Sequence, residues 1–106
     1  MQLHVLSVER LSREEMQSLD VARIVALLWE IIEEIAFVGK HARPAIINHG
    51  EARKALIRAD KRDKDAYAEA RCDVEDAKVL LDVINDRAKT MREIKMIVQS
   101  VLNAEK

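Results

Sequence analysis

The amino-acid sequence predicts an all-α fold: an elongated helical bundle with a long C-terminal helix or helical hairpin and coiled-coil-like packing. Three observations predict it. Apolar residues recur at alternating steps of three and four through Tyr67, Ala70, Val74, Ala77, Leu81, Ile84, Ala88, Met91, Lys95, Val98 and Leu102, and all but Lys95 are apolar. Glycine and proline number only two and one. Hydrophobic residues at 49% stand beside charged residues at 35%, a balance that suits amphipathic helices and argues against disorder and against sheet. At about 1.5 Å per residue the Tyr67–Leu102 stretch reaches roughly 54 Å, against a radius of gyration near 13 Å for a compact chain of about 100 residues. The expectation is a single domain, 1–106, that is elongated, dimeric or both.

Residues 1–11 carry Leu3, Val5, Leu6 and Val8, a pattern too short to separate a strand from an extended arm. A lone strand would have no partner in this chain, so an arm packed on the helices is the preferred reading. Helix one is expected over 12–38. Ser12 and Glu15 have the spacing of a capping box, with Leu11 and Met16 at the staple positions. Its apolar residues run through Ile24, Leu27, Leu28, Trp29, Ile31, Ile32, Ile35 and Phe37 until Gly39 offers a left-handed cap. Asp20, Arg23, Glu30 and Glu34 form one narrow polar stripe, so this helix calls for cover on more than one side.

Gly39, Pro44 and Gly50 together mark 39–50 as the turn region, in which Pro44 opens a short helical turn. Asn48 and Glu51 then have the spacing of an N-cap and its acid. The long helix is expected over 51–104. Its register slips across 60–65, either as a stutter in one helix or as a corner between two, and the alternating charge there favours continuity. Asn85-Asp86 is a weaker candidate break, because the three-four rhythm runs through it. Alanines 59, 70, 77 and 88 suit closely spaced antiparallel helices. A second apolar line, Leu80, Ile94 and Val101, widens the face beyond a two-stranded seam and calls for three or four helices.

The formal net charge of −1 provides no global field toward nucleic acid or an anionic membrane. Cys72 is the only cysteine and Met1–Arg10 lacks the features of a signal peptide, so a reducing cytoplasm is expected. The most hydrophobic stretch, Val21–Val38, contains Arg23, Glu30, Glu33 and Glu34, which makes it a poor membrane span.

Carboxylates cluster at Glu30, Glu33 and Glu34 and again at Asp73, Glu75 and Asp76. On facing helices such groups hold magnesium in all-α nucleotide pyrophosphohydrolases, but the order of acids here departs from that pattern, and solvated helix faces explain them better. His4, His41 and His49 have no zinc-site spacing, and Cys72 reads as a partly buried small residue with no assignable base. No catalytic residue, metal or cofactor is therefore assigned.

Arg53, Lys54, Arg58, Lys61 and Arg62 are the candidates for nucleic-acid contact, although no recognition-helix, stacking or glycine-loop signature accompanies them, and interspersed acids favour a solvated face. Trp29 and Phe37, with Tyr67, Ala70, Val74, Ala77, Leu81, Ile84, Ala88 and Met91, are the candidates for a partner or dimer interface.

The run Ala66-Tyr67-x-x-Ala70, with Ala77, Leu80-Leu81, Ile84 and the closing Met91-x-x-Ile94-x-x-Ile97-x-x-Ser100-x-Leu102, resembles small all-helical accessory proteins of tailed phages and prophages. The resemblance covers the half of the chain from Glu51 to Glu105 and implies an accessory protein without catalysis, in the cytoplasm of a bacterial host. The functional expectation is a non-enzymatic, homodimeric protein-protein interaction module that docks on a replication, recombination or host-defence complex. Nucleic-acid binding and magnesium-dependent nucleotide hydrolysis are the alternatives.

Overall fold

The computed structural model describes residues 5–104, which form a 3₁₀ turn at Ser7–Arg10 and three α-helices. These are α1 (Arg13–Gln17), α2 (Val21–Arg58) and α3 (Lys64–Ala104), with no strand among the described residues. The all-α class is as the sequence indicates. Leu3 and His4 lie outside the described residues.

Ser12 caps α1 in the expected manner. Its hydroxyl accepts from the Glu15 amide at 3.1 Å, and the Glu15 carboxylate accepts from the Ser12 amide at 3.3 Å. The expected continuous helix 12–38 is nevertheless interrupted at 18–20. The Ser18 hydroxyl donates to the Glu15 carbonyl at 2.7 Å, competing with helical bonding. Asp20 then starts α2 by accepting from the Arg23 amide at 2.8 Å.

The expected turn region 39–50 is helical, and so is the stretch through Asn48 and Glu51. Neither glycine has positive φ, so Gly39 does not act as a left-handed cap. Pro44 sits in mid-helix, where it removes one backbone bond and costs about 3 kcal/mol. A buried face on the same helix outweighs that cost. Ile24, Leu28, Ile31, Ile35 and Val38 continue in unbroken three-four rhythm through Ala42, Ala45, His49, Ala52 and Leu56, and every one is buried or half-buried.

The break comes instead at 59–63, so the expected helix 51–104 is two elements meeting at a corner. Asp60 accepts from the Arg62 amide at 2.9 Å, and Asp63 caps α3 by accepting from the Ala66 amide at 3.1 Å. The charges that argued for continuity are the turn-makers. From Lys64 to Ala104 the helix is uninterrupted, including Asn85-Asp86.

The chain divides into two compact units. The first comprises residues 5–38 and 87–104 as described. Here the antiparallel segments of α2 and α3 are covered by a third layer, the 3₁₀ turn and α1. Val8 and Met16 from that layer, Ile24, Leu27 and Ile31 from α2, and Met91, Val98 and Val101 from α3 form one buried cluster. Leu6, Leu11, Leu19 and Ile94 pack around it. Of residues 1–11, Leu6, Val8 and Leu11 pack in or against this cluster, and the second apolar line is covered where Ile94 and Val101 lie.

The second unit, Gly39–Asp86, is a two-helix hairpin. Only Ala45 and Ile84 are fully buried in it. The remaining seam positions are half-buried, and Leu80 is 42% exposed, since this unit has only its two helices.

Candidate interaction surfaces

The seam does not provide a free surface. Tyr67, Ala70, Val74, Ala77 and Leu81 are half-buried and Ile84 is buried in the hairpin, while Ala88 is half-buried and Met91 buried in the first unit. These side chains find neighbours within one chain, and in the hairpin that cover is partial.

What the first unit does present is built around a charged clamp. The 3₁₀ turn places Glu9, α2 places Glu34 and α3 places Arg87 at one point. Arg87 donates through Nη1 to Glu9 Oε1 at 2.5 Å and through Nε to Glu34 Oε1 at 3.3 Å. The side chains of Arg87, Glu9 and Glu34 keep only 10%, 15% and 7% of their surface exposed. Burial pushes the Glu9 carboxyl up, but the Arg87 hydrogen bond, the Leu6 amide at 2.6 Å and the guanidinium charge together hold it below the usual glutamate value. The Glu9 hydrogen bond is the main cause of the raised Arg87 pKa, with burial opposing it and Glu34 adding to it. The clamp is a structural tie: it fastens the arm to both long helices. Sequence reasoning missed it, although Arg87 falls seven places from both Leu80 and Ile94, a lone cation on an apolar line.

Beside the clamp lies an open groove of about 440 Å³. Val5, Leu6 and Phe37 form its apolar walls, and Ser7, Glu30, Glu33 and Glu34 contribute the polar lining. The Ser7 hydroxyl donates to Glu30 at 3.2 Å, while Glu33 is exposed and has no ion pair among the described residues. Phe37 is half-buried here.

Next to the groove on α2 is an apolar stripe. Val21, Val25, Trp29, Ile32 and Ala36 recur at one-turn spacing, and Trp29 is 61% exposed, Val21 50% and Ile32 37%. Trp29 is thus no core residue: among the described residues it keeps most of its surface exposed. A tryptophan left this exposed beside aliphatic neighbours is an unusual outcome for a surface with no partner.

The basic candidates Arg53, Lys54, Arg58, Lys61 and Arg62 are all exposed, at the last turns of α2 and in the corner. Ile57 among them is 82% exposed. The only aromatic of that unit, Tyr67, is half-buried in the seam, so no stacking platform accompanies the cations. Cys72 is exposed rather than partly buried. His41 and His49 are half-buried. Among the described residues no group of three or more His, Cys, Asp or Glu side chains converges to hold a metal ion, and Glu34 is engaged by Arg87. No helix of the described residues is long and apolar enough to cross a membrane.

Compared with protein-family models, curated proteins and solved structures, the chain matches none.

Proposed function

We propose that the protein is a non-catalytic helical interaction module whose docking surface is the outer face of α2 in the first unit. The observation that carries this reading is the exposure of Trp29 in an apolar stripe beside an acidic groove. Buried tryptophan anchors dominate binding energy at interfaces, and leaving such a side chain wet costs the free chain favourable burial. The seam residues of the first unit are buried or half-buried, whereas Val21, Trp29 and Ile32 on this face are exposed. A role as an accessory protein of a phage or prophage, in a reducing bacterial cytoplasm, fits the resemblance of the C-terminal half and the lone exposed Cys72.

The magnesium-hydrolase alternative draws no support from the geometry, because one of its carboxylates is tied to a guanidinium. The basic corner keeps nucleic-acid binding as a second reading, which predicts steeply salt-dependent affinity.

The deciding experiment compares two baits in cytoplasmic extract of the native host: the wild-type chain and a Trp29→Glu, Ile32→Glu variant. Both substitutions are at exposed positions, so the fold persists, as circular dichroism will show. The expected result is a partner retained by the wild type, lost by the variant and reproduced with purified components. Identical retained sets would remove the proposal.

A further inference from the structure

We infer that the groove and the Trp29 stripe form one docking site for a basic amphipathic helix, a deepening that rests on the interaction reading above. The partner lays its aliphatic face on Trp29 and Ile32 and places lysine or arginine side chains against Glu30 and Glu33. Such a pairing uses the common helix-in-groove mode.

Three features lead to this occupant. The first is placement: Trp29 and Glu33 are one helical turn apart on α2, as are Glu33 and Phe37, so an apolar surface grades directly into an acidic one. Phe37 gives the groove an apolar wall beside Glu30 and Glu33, against which the methylene stem of a cationic side chain can lie. The second is charge. Glu30 and Glu33 bring carboxylates to the groove, and Glu33 is exposed with no ion pair among the described residues. The third is the groove itself, whose volume of about 440 Å³ accommodates a long side chain rather than a bare ion.

A second copy is a poorer occupant. Two-fold pairing around Trp29 would set Glu30 and Glu33 close to their own copies, and like charges across an interface oppose association.

The test uses a synthetic amphipathic peptide of leucine and lysine at helical spacing, and the same peptide with glutamate replacing lysine. Binding is followed by calorimetry and by the emission of Trp29, the only tryptophan in the chain. The lysine peptide should bind and shift the emission, more weakly as salt rises, while the glutamate peptide should not. Glu30→Gln with Glu33→Gln should weaken binding about tenfold, and Trp29→Ala about thirtyfold. Asp73→Asn with Asp76→Asn removes the same charge from the hairpin unit and should leave affinity unchanged.

Equal binding of the two peptides, an equal loss in the Asp73 and Asp76 control, or no binding at all would overturn the inference. So would concentration-dependent self-association, seen by light scattering, that Trp29→Ala abolishes. A cellular partner that contacts Trp29 through a neutral or acidic segment would sink this inference while the interaction reading stands. Peptide binding that behaves as expected, with no partner lost from the Trp29→Glu bait, would instead sink the cellular role and leave the surface chemistry.

Discussion

The first unit and the hairpin unit are built from the same two helices with the same three-four rhythm, yet they bury their side chains to different depths. In the first, Ile31 and Met91 are wholly sealed and Val8, Ile24, Val98 and Val101 are 1% exposed. In the hairpin, alanines and half-buried side chains occupy most equivalent positions, and only Ala45 and Ile84 are sealed. The difference is the third layer. Two helices meeting along one seam leave the flanks of each seam residue wet, and only a further element laid along the groove completes the cover. The repeat therefore decides which residues face a neighbour, and the arm decides how dry they become. Local stability should follow that depth, since segments with few sealed apolar contacts open more readily.

The sharpest way to break this contrast is to untie the arm. Arg87→Met leaves Glu9 and Glu34 largely buried without their cation, which should cost about 3–5 kcal/mol at pH 7 in urea unfolding. The sign of the pH dependence follows from Glu9, whose folded pKa is depressed. Its contribution is fully present above the ordinary glutamate value and is lost as pH falls through the lowered one. In Arg87→Met, burial of Glu9 without its cation favours the protonated form, so the gap between variant and wild type should narrow from pH 7 toward pH 4. A gap that stays constant would mean the carboxylates are not what the guanidinium holds.

Next in size is a pair of truncations. Ile31→Ala removes a side chain with no exposed surface and should cost about 2–5 kcal/mol. Val74→Ala on the hairpin seam removes a smaller, half-buried side chain, and should cost less than about 1.5 kcal/mol. Hydrogen exchange gives the same comparison without mutation, with seam amides of 39–58 and 64–86 expected to exchange ahead of those around Ile31 and Met91. Equal costs and equal exchange would show that the arm adds nothing.

How much of this was legible depends on what kind of signal each feature leaves. The seam from Tyr67 to Leu102 was readable residue by residue, because helical periodicity is a property of adjacent turns. Each position named is buried or half-buried. The Ser12 cap was legible for the same reason, being complete within four residues. Breakers misled in both directions. Gly39, Pro44 and Gly50 signal a turn only if no buried face runs through them, and Ala42 and Ala45, small but in phase, kept one running. Asp60 and Asp63 looked like a solvated helix surface, since side-chain acceptors serve equally well as helix caps. Neither the Arg87 clamp nor the exposure of Trp29 could be read locally, because each depends on where the arm lies. The candidate site was therefore the least legible part: Trp29 and Phe37 were singled out, but their setting among Val5, Glu30 and Glu33 was not.

The smallest expected effect refines the hairpin side of the contrast. Gly39 and Gly50 lie in helix with no positive φ, and a Cβ added at either would meet nothing within 4 Å. Neither glycine is therefore required by backbone conformation or by a close neighbour. Each costs the helix backbone entropy that alanine would not, so Gly39→Ala and Gly50→Ala should each raise stability by about 0.5–1 kcal/mol. At about 1.5 Å per residue the two sites lie more than 10 Å apart along α2, and the gains should add in the double variant. Urea midpoints measure both effects, and hydrogen exchange locates them. If protection rises in 39–58 and the gap to the first unit narrows, the hairpin's weakness is partly in its backbone. If midpoints rise but the gap persists, the missing third layer accounts for it. A fall in stability on either substitution would mean that the glycines are needed where helix is seen, and the shared rhythm of the two units would no longer be the right basis for comparing them.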